Sequence, residues 1–207
     1  MNRFSVVLAV LLAVAAPANC VATVIQFDEF GTSVAVDANG INLEGVTFLF
    51  GPGSADFNGV IGTTGNSVFL TDPVLTGPTT GTLTLLFDFP TPILLFDIAL
   101  LSATTIDDSS SGPNGGPAYI VTLSNGTVLN GGTARQPTGF FSEGQFSYSG
   151  PAINSASITF FSGFDAQGGS VDAFGLDNLS FTSPELSSIL LLISGLVGLG
   201  LVGRRRA

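Results

Sequence analysis

The sequence predicts an all-β protein: a single antiparallel β-sandwich, jelly-roll-like, between an N-terminal signal peptide and a C-terminal single transmembrane helix. Three observations predict it. Helical periodicity is nearly absent between the two apolar ends. Short runs rich in β-branched and aromatic residues recur there, punctuated by Gly, Pro, Asn and Asp. Eighteen Phe, with no Trp, supply the bulk of a core. The stretch 23–182 suits one domain, which at this size buries roughly 70% of its unfolded surface.

The N-terminal element is a secretory signal, residues 1–22. Arg3 gives the positive start, and Val6 to Ala16 is an unbroken apolar run, short for a bilayer span but suited to a signal core. Cleavage after Ala22 places Cys20 and Ala22 at the −3 and −1 positions; cleavage after Ala18 places Ala16 and Ala18 there. The first is preferred, because a strand pattern starts at once with Thr23-Val24-Ile25-Gln26-Phe27. Asn19 precedes Cys20 where a lipid-accepting cysteine takes a small residue, so Cys20 is read as discarded with the signal.

Ten strands follow: Thr23–Asp28, Gly45–Phe50, Ser67–Leu70, Thr82–Phe89, Ile93–Ser102, Ala118–Leu123, Thr127–Asn130, Gln145–Tyr148, Ser155–Phe161 and Ala173–Phe181. Thr82-Leu83-Thr84-Leu85 and Ser157-Ile158-Thr159-Phe160 alternate with the period of a half-buried strand. In the last strand a period of two holds for Phe174-Leu176 or for Leu179-Phe181 but not across both, which predicts a bulge near Asp177-Asn178. Ser124-Asn125-Gly126-Thr127 predicts a hairpin with a type I′ turn. Ser102 to Pro117, rich in Ser, Asp, Gly and Pro, reads as a long exposed loop. The Phe side chains are assigned to the core rather than to an exposed platform.

Charge narrows the function. All five basic residues are Arg, and there is no His and no Lys. That removes Ser-His-Asp triads, imidazole bases, His-ligated zinc and Schiff bases. Between residues 23 and 182 there are 14 acidic residues against Arg135 alone, a net charge of −13. Nucleic acid is excluded as a partner, because phosphate neutralisation needs Lys or Arg patches. A divalent cation or a neutral partner fits better. Asp107-Asp108 lacks the spacing of an EF-hand loop, and Gly112-Pro113-Asn114-Gly115-Gly116 has no following Lys to make a phosphate cradle. No catalytic residue and no enzyme activity is expected.

The C-terminal segment 183–207 has three parts in order: Pro184-Glu185-Leu186, an apolar Gly/Leu-rich run from Ile189 to Gly203, and the cluster Arg204-Arg205-Arg206. As a helix the 18 uncharged residues from Leu186 to Gly203 would reach ~27 Å at ~1.5 Å per residue, near the lower limit for a bilayer core. The arginines would stop translocation and stay cytoplasmic, leaving the acidic domain outside. This tail resembles the PEP-CTERM sorting signal of Gram-negative bacteria. Leu186 stands where that family usually has its second Pro. The resemblance implies export by the Sec translocon, transient lodging in the inner membrane, removal of the tail by an exosortase, and delivery to the cell surface or extracellular matrix. A plain membrane anchor is the alternative. A glycolipid-anchor signal would end without the arginines. The triplets Asn125-Gly126-Thr127 and Asn178-Leu179-Ser180 are chance matches to the N-glycosylation pattern.

Phe27-Asp28-Glu29 at the start and Phe174-Gly175-Leu176-Asp177-Asn178-Leu179 at the end also resemble the first and last strands of jelly-roll carbohydrate-binding modules. That resemblance implies a structural calcium ion shared by Asp28, Glu29 and Asp177, and a carbohydrate-binding role toward exopolysaccharide. Calcium takes six to eight oxygen ligands, which carboxylates at strand ends can offer. Two functions therefore stand side by side: a non-catalytic structural or adhesion protein, and a carbohydrate-binding module. Exposed Tyr or Phe on one sheet face would favour the second, and Tyr119 and Tyr148 are the only tyrosines.

Overall fold

A computed structural model describes residues 20–30, 32–60, 67–102, 118–135, 141–161 and 171–184. The chain divides into two compact units, residues 22–182 and the termini 1–21 with 183–207. Almost all of the second unit lies outside the described residues, and with it the signal core, the apolar tail, Glu185, Leu186 and Arg204 to Arg206. Among the described residues no helix is long and apolar enough to cross a membrane.

The described strands are β1 (Cys20–Ile25), β2 (Ala35–Val36), β3 (Ile41–Leu43), β4 (Val46–Gly51), β5 (Ala55–Gly59), β6 (Val74–Pro78), β7 (Thr82–Ser102), β8 (Tyr119–Leu123), β9 (Val128–Gly131), β10 (Ala134–Arg135), β11 (Phe141–Phe160) and β12 (Val171–Pro184). The main path runs β2-β5-β6-β12-β7-β11-β8-β9, with β1 on β12, β10 on β11, and β3 joined through β4 to β7. The registered pairs are antiparallel.

Two long strands make this one sheet into two layers. The first half of β7 pairs with β4 and with the second half of β11, which carries β8. The second half of β7 pairs with β12 and with the first half of β11. Between the halves the β7–β11 register breaks at Ser149/Ile153 and Ile153/Ser155. The unpaired residues there include Pro90, Pro92 and Pro151, and proline has no N–H to give the ladder. Thr91, fully buried at this fold-over, bonds the carbonyl of Ile93 at 2.7 Å and the hydroxyl of Thr182 at 3.0 Å.

The layers close on aromatic side chains. Leu83, Leu85 and Phe87 point inward from the first half of β7; beyond the prolines the inward set becomes Leu94, Phe96, Ile98 and Leu100. Across the layers Phe174 stacks on Phe160 at 4.1 Å and lies 5.7 Å from Phe50, and Phe87 meets Phe181 at 5.5 Å. Such pairs add about 0.5–1.5 kcal/mol beyond their buried area. Gly81 and Gly131 make room for rings: a Cβ there would fall 2.2 Å from Phe50 and 2.0 Å from Tyr119. The all-β sandwich and the Phe-built core expected from the sequence are both present.

Several local expectations change. The first strand does not reach Asp28: it ends at Ile25, and Phe27–Glu29 form a 3-10 turn. Its first residues, 20–22, belong to the segment read as signal peptide. Ser67–Leu70 is not a strand. Thr82–Phe89 and Ile93–Ser102 are one strand, as are Gln145–Tyr148 and Ser155–Phe161 up to Phe160, because Pro bends these chains without ending them. In the β8–β9 hairpin, Gly126 N–H bonds the Leu123 carbonyl at 2.9 Å, so Ser124 and Asn125 are the central pair and Gly126 alone has positive φ (85°). That is a type I turn followed by a glycine bulge, not the type I′ turn, which needs positive φ at both central residues. The bulge expected in the last strand is present: β12 shifts register between Asp177 and Ser180, and Asn178 has φ 49°.

Candidate binding cleft

The second half of β7 lies between β12 and the first half of β11. Period two sends Leu94, Phe96 and Ile98 to the core and Ile93, Leu95 and Asp97 to the other face. Register then builds cross-strand rows on that outer face. Asp97 is opposite Asp177 on one side and Gln145 on the other; Leu95 is opposite Ser180 and Ser147; Ile93 is opposite Ser149. The bulge puts Asn178 on the same face as Asp177, in a left-handed conformation that Asn tolerates better than most residues.

These side chains hold one another. Gln145 Nε2 donates to Asp97 Oδ1 at 2.8 Å, and Asn178 Nδ2 donates to Asp97 Oδ2 at 2.8 Å. Asn178 Nδ2 also reaches the Phe69 carbonyl at 3.1 Å, and its Oδ1 accepts from Gln26 Nε2 at 3.4 Å. Hydrogen bonds to a carboxylate are stronger than neutral ones, so Asp97, 9% exposed, is a fixed acceptor.

Residues 67–73 lie as a strap over the neighbouring part of this face. Leu70 packs there with Val74, Ala99 and Phe141. Buried Glu143 accepts the Val68 N–H at 2.9 Å and bonds the Ser67 hydroxyl, which accepts the Leu70 N–H at 2.9 Å. Buried Asp177 accepts the Thr71 N–H at 2.9 Å and the Asn178 N–H at 2.7 Å. Burial pushes the Asp177 carboxyl above its ordinary value; the Thr71 and Asn178 N–H groups oppose this, and the nearby Asp28 and Asp97 carboxylates add to it. Among the described residues every buried side-chain nitrogen and oxygen has a partner.

Beside the strap the face opens into a cleft of about 410 Å³ lined by Leu95, Asp97, Gln145, Ser147, Asn178 and Ser180, among others. Leu95 is 40% exposed. The lining offers one carboxylate, two carboxamides, two hydroxyls and an aliphatic floor. These donors and acceptors suit hydrogen-bonded binding.

The three residues assigned to calcium have different places. Asp28 is exposed on the 3-10 turn, close enough to raise the Asp177 carboxyl; Glu29 follows it in the turn. Asp177 is a tether for the strap, one N–H on each of its carboxylate oxygens. Among the described residues no group of three or more His, Cys, Asp or Glu side chains is placed to hold a metal ion. Pro184 is the last residue of β12. Tyr119 and Tyr148 are buried; the Tyr148 hydroxyl donates to the Pro151 carbonyl at 2.6 Å and accepts from Asn125 at 2.8 Å.

Neither Asp97 nor Gln145 was singled out as a site residue from the sequence. The usable signal was a charge inside Leu94-Leu95-Phe96-Asp97-Ile98-Ala99-Leu100, a strand otherwise apolar on both faces. Gln145 carried no such signal.

No family model and no curated protein matches the sequence. Among solved structures the chain is similar to a mutant of a family 29 carbohydrate-binding module, at TM-score 0.38 and 10% identity over 79% of this chain and 92% of that one. It is also similar to a cleaved adhesin domain of Lys-gingipain from Porphyromonas gingivalis, at TM-score 0.39 and 11% identity over 78% and 97%. A further family 29 carbohydrate-binding module gives TM-score 0.32 and 10% identity over 79% and 89%.

Proposed function

We propose that this chain is an exported, non-catalytic cell-surface or extracellular-matrix protein whose C-terminal tail is removed by an exosortase. The observation that carries the reading is the order of its segments: an apolar signal, an acidic domain without His or Lys, then Pro184-Glu185-Leu186, an apolar run and three arginines. Sec export and transient lodging in the inner membrane follow from that order. The test is mass spectrometry of the mature C-terminus from native cells. Loss of the arginines is the expected result; an intact tail in the inner membrane would refute sorting in favour of a plain anchor. Replacing Pro184 and Glu185 together with Ala is expected to leave the tail uncleaved.

A second reading, a carbohydrate-binding module that associates with exopolysaccharide, is favoured by the polar cleft over β7, β11 and β12. It predicts retention of the protein on the exopolysaccharide of its own cells, and recovery no greater than from an empty matrix would count against it.

A further inference from the structure

We propose that the cleft beside the strap binds a neutral, hydroxyl-rich polysaccharide, with Leu95 as the floor and Asp97 as a hydroxyl acceptor. This rests on the carbohydrate reading and gives it a site and a ligand class.

Charge sets the class. The named lining contains one ionisable side chain, Asp97, and no cation. The domain around it is strongly anionic. Uronate, sulfate or phosphate groups would meet a like charge with no counter-ion, which disfavours them and leaves neutral hydroxyl donors.

Rigidity makes the acceptor effective. Gln145 and Asn178 each fix one oxygen of Asp97, and Asn178 is itself held by Phe69 and Gln26. An ionised carboxylate has about four acceptor positions, so two amide donors do not exhaust it. A group already in its bound position loses little freedom when the ligand arrives.

The floor has the matching pattern. Leu95 and Ile93 are 40% and 36% exposed and lie between hydroxyl-bearing strands, with Ser147 and Ser180 flanking Leu95 and Ser149 beside Ile93. A pyranose ring has the same alternation: an apolar C–H face and a rim of hydroxyls. The exposed floor continues from Leu95 to Ile93, away from the strap, so successive sugars of one chain could lie along β7. Both tyrosines are inside the core, and the two phenylalanines of the lining, Phe96 and Phe146, are buried at 1% and 6% exposure, so contact here is aliphatic and hydrogen-bonded rather than aromatic.

The test is native affinity electrophoresis of the full chain in gels containing dextran, hydroxyethylcellulose or soluble starch, with polygalacturonate as the anionic comparison. Leu95→Ser and Gln145→Ala alter the cleft at exposed positions, and Leu86→Ser alters an equally exposed leucine of the other layer. The expected result is retardation by a neutral polymer, weakened about fivefold to tenfold by each cleft change, the scale of one lost contact, and kept in Leu86→Ser. Retardation that survives both cleft changes would overturn the site and leave the carbohydrate reading standing. Retardation by polygalacturonate alone would overturn the neutral class. No retardation by any polymer would overturn the site and its neutral ligand class, and the carbohydrate reading would then stand or fall on retention by the exopolysaccharide of its own cells.

Discussion

Phe174 is the residue on which the two layers meet. It is fully buried, stacked on Phe160 and flanked by Phe50, and Gly77 opposite it has no side chain to collide with the ring: a Cβ would fall 2.8 Å from it. Truncating such a residue removes transfer free energy and leaves a cavity. Phe174→Ala is therefore expected to cost about 3–5 kcal/mol, read as a fall in the urea midpoint. Phe161, 38% exposed, is the control; its Ala variant should change stability by less than about 0.5 kcal/mol. The sequence assigned Phe to the core in general. Which ring stacks on which depends on register between strands distant in the chain, and no local pattern encodes that.

At the scale of elements, the strap 67–73 differs most from expectation. Ser67-Val68-Phe69-Leu70 has strand-like composition, yet its backbone groups go to side chains: Val68 to Glu143, Thr71 to Asp177, and the Phe69 carbonyl to Asn178. Two buried carboxylates, which local sequence reads as solvated, are satisfied in this way. Glu143→Ala removes the acceptor of the Val68 N–H and of the Ser67 hydroxyl; Val68 is 67% exposed, so water can take its N–H, and the loss is expected to cost about 0.5–1.5 kcal/mol, the net worth of one hydrogen bond. Hydrogen exchange should then quicken at Val68 and Leu70 while β8 keeps its protection. Unchanged exchange in the strap would mean that Leu70 packing alone holds it. The bulge at Asp177-Asn178 was legible because the apolar period slips within one strand. The joining of four expected strands into β7 and β11 was not, because Pro removes a ladder N–H whether a strand ends or bends there, and only the pairing partners decide which.

At the scale of the molecule, titration has a definite sign. The Asp177 carboxyl is raised above its ordinary value of 3.8, so the folded state binds its proton more readily than the unfolded state. Its contribution to stability falls as pH rises from 3.8 through the raised value. Asp37 is lowered by hydrogen bonds from the Asn39 backbone and side chain, and Asp56 by Ser33 and the Asn58 and Val34 N–H groups. Those contributions are present above 3.8 and are lost as pH falls below it. The melting temperature should therefore rise on acidification through the raised Asp177 value toward about pH 4 and fall again below that. Asp177→Asn should flatten the upper limb and leave the lower one. Calcium titration tests the ion assigned to Asp28, Glu29 and Asp177: a saturable rise in melting temperature is the outcome that assignment predicts, and an unchanged melting temperature would remove it.

The sequence by itself determined the β class, the phenylalanine core, the anionic surface and the segments that direct the sorting proposal. These follow from composition, period and order along the chain, which are local properties. Only the tertiary structure decided that β7 and β11 serve both layers, that Asp177 and Glu143 tether a strap, and that Asp97, Gln145 and Asn178 share one wall. The tethers and the wall rest on hydrogen bonds between residues from 48 to 106 positions apart, where cross-strand register, not neighbouring sequence, sets which side chains meet.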